Sequence, residues 1–194
     1  MRRFSSYGPV DPDLHYYAPR KELIEKAYNQ LMGDNPRKNG HYITVWAPRQ
    51  CGKTWTMQEV LFRLKNDDRF DVLKINLETL KDQVNAVDIL SIIARKIGED
   101  LGKTFKGIDN QDKFKEIFKK GVLDKPLILI LDEFDALVED GINAVVSSFR
   151  DIYTSRIDER DKPTEQKTYL LHSVALIGVR SVLGIENQTG SPFN

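Results

Sequence analysis

The sequence predicts an α/β domain built on a mainly parallel sheet. Two observations carry this. Short β-branched or aromatic runs alternate along the chain with stretches of helical spacing. One run, "PLILILDEFD", is almost continuously apolar up to an acidic end, as in a central parallel strand covered on both faces. The length of 194 residues suits one compact domain with a sizeable core.

The elements follow in order. "GPVDPDLHYYAPRK" is rich in Pro and Asp and predicts an extended arm over residues 1–20. "KELIEKAYNQLM" predicts a helix with Leu23, Ala27 and Leu31 on its apolar face. "GDNPRKNG" reads as a loop, and "HYITVWAP" as the first strand. Met57, Val60, Leu61 and Leu64 recur at helical spacing after Lys53. "DVLKINLE" is the second strand. Leu90, Ile93, Ala94, Ile97 and Leu101 mark a long helix that Gly102 ends. Phe114, Ile117 and Phe118 mark a shorter one. The acidic strand is the third, and Ile142, Val145, Val146, Phe149 and Ile152 give the next helix. "TSRIDERDKPTEQKT" reads as a charged, Pro-containing insertion, centred on residues 157–167. "VALIGV" is the fourth strand, before the turn-like tail "NQTGSPFN". There is no internal repeat.

Composition narrows the function. The formal net charge is zero, so bulk electrostatics give no ground for a nucleic-acid partner, although a local basic patch stays open. Cys51 is the single cysteine. That excludes an intramolecular disulfide framework and fits a reducing cytoplasm. His15, His41 and His172 show no metal-ligand spacing. No apolar run approaches the ~20 residues a membrane helix needs, and "MRRFSSYGPV" lacks the apolar core of a signal peptide.

The chemistry sits in two stretches. "TVWAPRQCGKTW" ends in Gly52-Lys53-Thr54, the close of a phosphate-binding loop between strand and helix. Such a loop turns backbone N–H groups inward at a helix N-terminus, where the dipole also favours anions. Pro48, Arg49, Gln50, Cys51, Gly52, Lys53, Thr54 and Trp55 are therefore the candidate nucleotide contacts. Lys53 would hold the β- and γ-phosphates and the Thr54 hydroxyl would ligate Mg²⁺. The loop's usual opening glycine is replaced by Ala47, which fits provided φ there is negative. Taken alone, GKT could be a tripeptide capping an ordinary helix. The second stretch, "LILILDEFD", delivers Asp132 and Glu133 at a strand end. Asp132 is the second candidate Mg²⁺ partner, and Glu133 the general base that polarises water. Alone, this pair could equally be solvated carboxylates or a helix cap. Together the two stretches predict a nucleotide site. Arg180, just past the fourth strand, would reach the γ-phosphate if that strand lies between the first and third; otherwise it is a surface arginine.

With those residues in place, the chain resembles the P-loop ATPases that carry an additional strand between the two nucleotide motifs. It is most similar to the AAA-like branch of the signal-transduction ATPases with numerous domains, the STAND class, which is related to the AAA+ ATPases. "YGPVDPDLHYYAPRKEL", "APRQCGKTW", "LILDEFDAL" and "IENQTGSPFN" carry the resemblance. It implies a three-layer P-loop NTPase sandwich with strand order 2-3-4-1, the fifth strand and lid falling outside a chain that is the N-terminal part of a longer protein. It implies ATP or ADP and Mg²⁺ as ligands. It makes Tyr16, Tyr17 and Arg20 candidates for base or ribose contacts, against the alternative of a hydrophobic staple before a helix. It gives Arg180 the role of γ-phosphate sensor. No arginine follows Arg180 where AAA+ proteins place a trans-acting finger; Arg150, Arg156 or Arg160 could act across an interface, or form a solvated face.

The function expected is an ATP-binding, slowly hydrolysing switch domain in a cytoplasmic signalling protein, working through self-association or a downstream protein. Two alternatives stand beside it. One is a DNA-linked AAA+-type ATPase for replication or transposition. The other is a nucleotide-binding scaffold without turnover.

Overall fold

A computed structural model describes residues 3–4, 11, 13–16, 18 and 20–179. Four strands form one sheet: β1 (Tyr42–Trp46), β2 (Asp71–Asn76), β3 (Leu127–Asp132) and β4 (Leu171–Gly178). Their order is β1-β4-β3-β2 and every pairing is parallel. This is the expected order 2-3-4-1 read from the other edge. The helices are α1 (Lys21–Met32), α2 (Lys53–Leu64), α3 (Ala86–Leu101), α4 (Gln111–Glu116) and α5 (Glu139–Asp158).

The strand sequences explain the three layers. β3 and β4 sit centrally, and every residue of both is buried. Their side chains alternate between two cores. Leu127, Leu129, Leu131, Val174 and Leu176 join α3, α4 and α5 on one face. Ile128, Ile130, Ala175 and Ile177 join α1 and α2 on the other. Side-chain caps start two of the helices: Asn85 accepts from Val87 N at 2.8 Å, and Asn110 from Lys113 N at 2.9 Å. Gly102 ends α3 as expected.

Four local expectations need correction. On α1 the buried side is Leu31 and Met32, backed by Ile24, Ala27 and Tyr28, whereas Leu23 points to solvent. A twelve-residue amphipathic pattern leaves its face uncertain by one position, and the packing of α1 on α2 decides it. Strand β4 begins at Leu171, three residues before the apolar run 174–179, because His172 is satisfied inside the core. Among its described residues the arm is not simply extended. Asp11 forms a turn with Asp13 N, and Arg3 N then donates to Leu14 O at 2.9 Å while Tyr16 N donates to Arg3 O. The charged insertion is partly helical, since α5 runs to Asp158, and Arg156, Thr164 and Lys167 are buried, so Arg156 does not form the solvated face left open for it.

Arg156 shows why. It is 2% exposed. Its guanidinium donates to Tyr169 O, to Lys38 O and Asn39 Oδ1 at 3.2 Å each, and to Thr164 Oγ1 at 2.8 Å. Lys167 Nζ donates to Arg156 O at 2.7 Å. Arg156 therefore fastens α5 to the segment before β1 and is not available to a neighbouring subunit. Arg160 is exposed at the end of α5, and Arg150 is half-buried.

Candidate nucleotide site

The loop of residues 47–52 leaves β1 at the C-terminal end of the sheet, where open α/β sheets place ligands. Ala47 N still donates to Gly178 O at 3.4 Å, so the loop starts anchored to β4. Among the described non-glycine residues, only Gln50 (φ 60) and Glu133 (φ 54) have positive φ. Ala47 thus avoids the conformation that would have demanded glycine, and the missing opening glycine is no obstacle. Gly52 (φ 82) caps α2 in the left-handed region. Pro48, Arg49 and Gln50 are exposed; Cys51 and Trp55 are partly buried; Thr54 is exposed on the first turn.

Lys53 is turned back into its own loop. Its ammonium donates to Ala47 O at 2.7 Å and to Pro48 O at 3.1 Å. Arg20 reaches the same loop from the arm. Its guanidinium carbon lies 3.7 Å from where a side chain on Gly52 would begin. Tyr16 packs instead on Phe4, ring centroids 4.9 Å apart. Tyr17, Arg180 and the tail 185–194 lie outside the described residues.

The acidic strand end faces this loop from two strands away, with β4 between. Asp132 is almost fully buried. Its Oδ1 accepts from Glu133 N at 3.1 Å, and its Oδ2 pairs with Lys74 Nζ at 2.9 Å. Glu133 begins a tight turn in a left-handed conformation that a non-glycine residue holds only under constraint from its surroundings. Burial pushes its carboxyl above the usual range; Asp132, Asp135 and Glu78 push the same way, and Lys53 opposes them. Glu133 and Arg49 line an open cavity of about 470 Å³, with Glu78, Lys81 and Asp135 around it. Asp135 Oδ1 is buried there without a hydrogen-bond partner. It packs against Gly178, where any Cβ would meet that oxygen at 2.7 Å. A larger cavity of about 670 Å³ lies at the opposite end of the sheet, near Phe70, Pro126 and Pro163, and neither the loop nor the acidic strand end lines it.

Lys74 and Asp135, like Glu78 and Lys81, were not singled out in the sequence. Lys74 left one trace: a lysine between Leu73 and Ile75 in a strand, on the same face as Val72.

The donor set fits Mg²⁺ bound together with nucleotide. Thr54 and Asp132 offer hard oxygens, and no group of three or more His, Cys, Asp or Glu able to hold a metal exists among the described residues. Mg²⁺ is held in that manner, by one or two protein oxygens plus phosphates and water.

A loop closing on GKT at the start of α2 and a buried aspartate two strands away define a P-loop NTPase. The chain belongs to the AAA domain family, whose model matches residues 37–165. It is an ATP-binding domain of the AAA type. No curated protein sequence matches it. Among solved structures it is similar to the Orc1 protein of Aeropyrum pernix in complex with DNA, at 18% identity and TM-score 0.55, over 87% of this chain and 40% of that one. It is also similar to Cdc6p from Pyrobaculum aerophilum, at 18% identity and TM-score 0.57, over 84% of this chain and 41% of that one. The chain thus spans about two-fifths of the length of these proteins, and the likeness concerns the fold. Among the described residues no helix is long and apolar enough to cross a membrane.

Proposed function

We propose that this domain binds Mg-ATP, hydrolyses it slowly, and uses the difference between ATP and ADP as a conformational or assembly switch. The observation that carries the reading is that Lys53, in the loop that follows β1, acts electrostatically on Glu133, which stands next to the buried Asp132 and lines an open cavity. In this reading Lys53 leaves the Ala47 and Pro48 carbonyls for the β- and γ-phosphates, and the loop amides complete the cradle. Thr54 and Asp132 hold the metal, which when bound neutralises phosphate charge. Glu133 orients the attacking water and accepts its proton; its raised proton affinity suits a general base. Arg20 contacts the nucleotide at the loop, and Arg180 reports the γ-phosphate. A switch requires ATP and ADP to differ in affinity between two states. The test is small-angle scattering and light scattering with Mg-ADP and with a non-hydrolysable ATP analogue. Different shape or mass in the two states supports the switch, and identical profiles refute it.

The fold likeness to an Orc1 protein solved with DNA favours a second reading, a DNA-linked AAA+ ATPase. Neutral net charge speaks against strong binding by this domain alone. Salt-dependent DNA binding by the purified chain would bring this reading forward.

A further inference from the structure

We infer that Lys74 is the resident counter-cation of Asp132 and competes with Mg²⁺ for that carboxylate, so that the metal enters only in company with nucleotide phosphates. The inference deepens the reading above and rests on it for the identity of the metal.

Asp132 and Lys74 are held in place by the sheet. β2 and β3 pair with Lys74 opposite Ile130 and Asn76 opposite Asp132. Lys74 therefore lies one same-face step back from the acid, and its long stem spans the diagonal. The ammonium lies 2.9 Å from Asp132 Oδ2, with side-chain exposures of 15% and 3%. A carboxylate this deep is strongly disfavoured without an opposite charge. Lys53 does not supply it, since its ammonium is bonded to Ala47 O and Pro48 O. Lys74 is the only cation in an ion pair with Asp132 among the described residues.

The position itself is informative. Val72, on the same face of β2, is buried in the α1–α2 core beside Ile128 and Ile130. An apolar residue at 74 would continue that surface, yet a lysine stands there and is spent on the metal carboxylate.

Mg²⁺ cannot displace this ammonium on the strength of the chain alone. Its protein ligands would be one carboxylate and one hydroxyl, and Mg²⁺ gives up its water reluctantly. Phosphate oxygens supply the remaining ligands and charge. Lys74 also lines a cavity of about 460 Å³ at the open edge of β2, together with Glu78, Lys96, Glu99 and Asp100.

The experiment compares wild type, Lys74→Met and the double variant Lys74→Met/Asp132→Asn. The first measurement is thermal unfolding without nucleotide, with and without millimolar MgCl₂. Wild type should be indifferent to Mg²⁺. Lys74→Met should melt lower, and Mg²⁺ alone should restore it. The double variant should lose both the penalty and the rescue. The second measurement is ADP binding across a Mg²⁺ titration. Half-saturation should fall about tenfold in Lys74→Met, a coupling of ordinary size between sites. Lys74→Gln, which keeps a donor, replaces Lys74→Met if the latter is insoluble. A Lys74 variant that melts like wild type and ignores Mg²⁺ overturns the inference, as does one that needs more Mg²⁺ than wild type. A wild type that binds no nucleotide refutes the reading of the site instead, and the nucleotide-free Mg²⁺ rescue still decides on Lys74.

Discussion

Lys53 closes on Ala47, ammonium to carbonyl at 2.7 Å, at the mouth of the phosphate loop. The lysine's charge is thus held by neutral backbone oxygens rather than by an acid. Both bonds are made at a partly exposed loop, so removing them costs little. Lys53→Ala should leave stability to denaturant within about 0.5 kcal/mol of wild type. A larger loss would mean that Lys53 is structural first.

Glu133 gives a pH signature. Its carboxyl titrates above the usual range because of burial and the neighbouring Asp132, Asp135 and Glu78. Hydrolysis should therefore fall on acidification at a higher pH than an ordinary glutamate would give. Asp135→Asn removes one like charge, so the acid limb of the rate profile should move to lower pH. The linkage sign for stability is the reverse of that for a paired carboxylate: a raised folded-state pKa means stability is lost as pH rises through the shifted range. Glu133→Gln should accordingly melt slightly higher than wild type at neutral pH. Its hydrolysis should drop by about 10²–10⁴-fold.

Arg156 is the buried fastening between α5 and the chain entering β1. Arg156→Met removes the donor that serves Tyr169 O, Lys38 O, Asn39 Oδ1 and Thr164 Oγ1. Leaving such acceptors unsatisfied should destabilise by about 3 kcal/mol, seen as a lower urea midpoint. A variant as stable as wild type would refute the fastening role.

His172 should govern part of the acid sensitivity. Burial, with Arg156, Arg69 and Lys167 nearby, holds its imidazole down to about 3, although its bond to Met32 O opposes this. With Thr164 Oγ1 donating to Nδ1 and Nε2 donating to Met32 O, the neutral ring is fully used. The unfolded chain takes up a proton near the ordinary histidine value and the folded one does not. Stability is thus complete above about pH 6.5 and declines as pH falls towards 3. His172→Gln should flatten that decline by up to about 1.4 kcal/mol per pH unit.

How far these features could be read from the sequence depends on what the chain encodes locally. The continuous apolar run into Asp132 announced a central strand, because only a strand covered on both faces reads that way. Gly52-Lys53-Thr54 announced the loop, because a phosphate cradle needs those residues at a helix start. The partner of Lys74 was not legible: alternation shows that it faces a core, but register with β3 decides which acid it meets. Arg156 read as an interface or solvated arginine, and Thr164 and Lys167 only as part of a charged insertion, because composition cannot see the buried partners that satisfy them. The positive φ at Gln50 was equally invisible, since the loop places its left-handed turn where the sequence holds glutamine.

Calorimetric titration of Mg-ATP, followed by turnover, on wild type, Lys53→Ala and Glu133→Gln tests the nucleotide site. Wild type should bind and slowly hydrolyse ATP, and Glu133→Gln should bind without hydrolysing. Lys53→Ala should bind about 10- to 100-fold more weakly, as befits the loss of a hydrogen bond to a charged group. Equal affinity in wild type and Lys53→Ala, or no binding by a folded wild type, would contradict it.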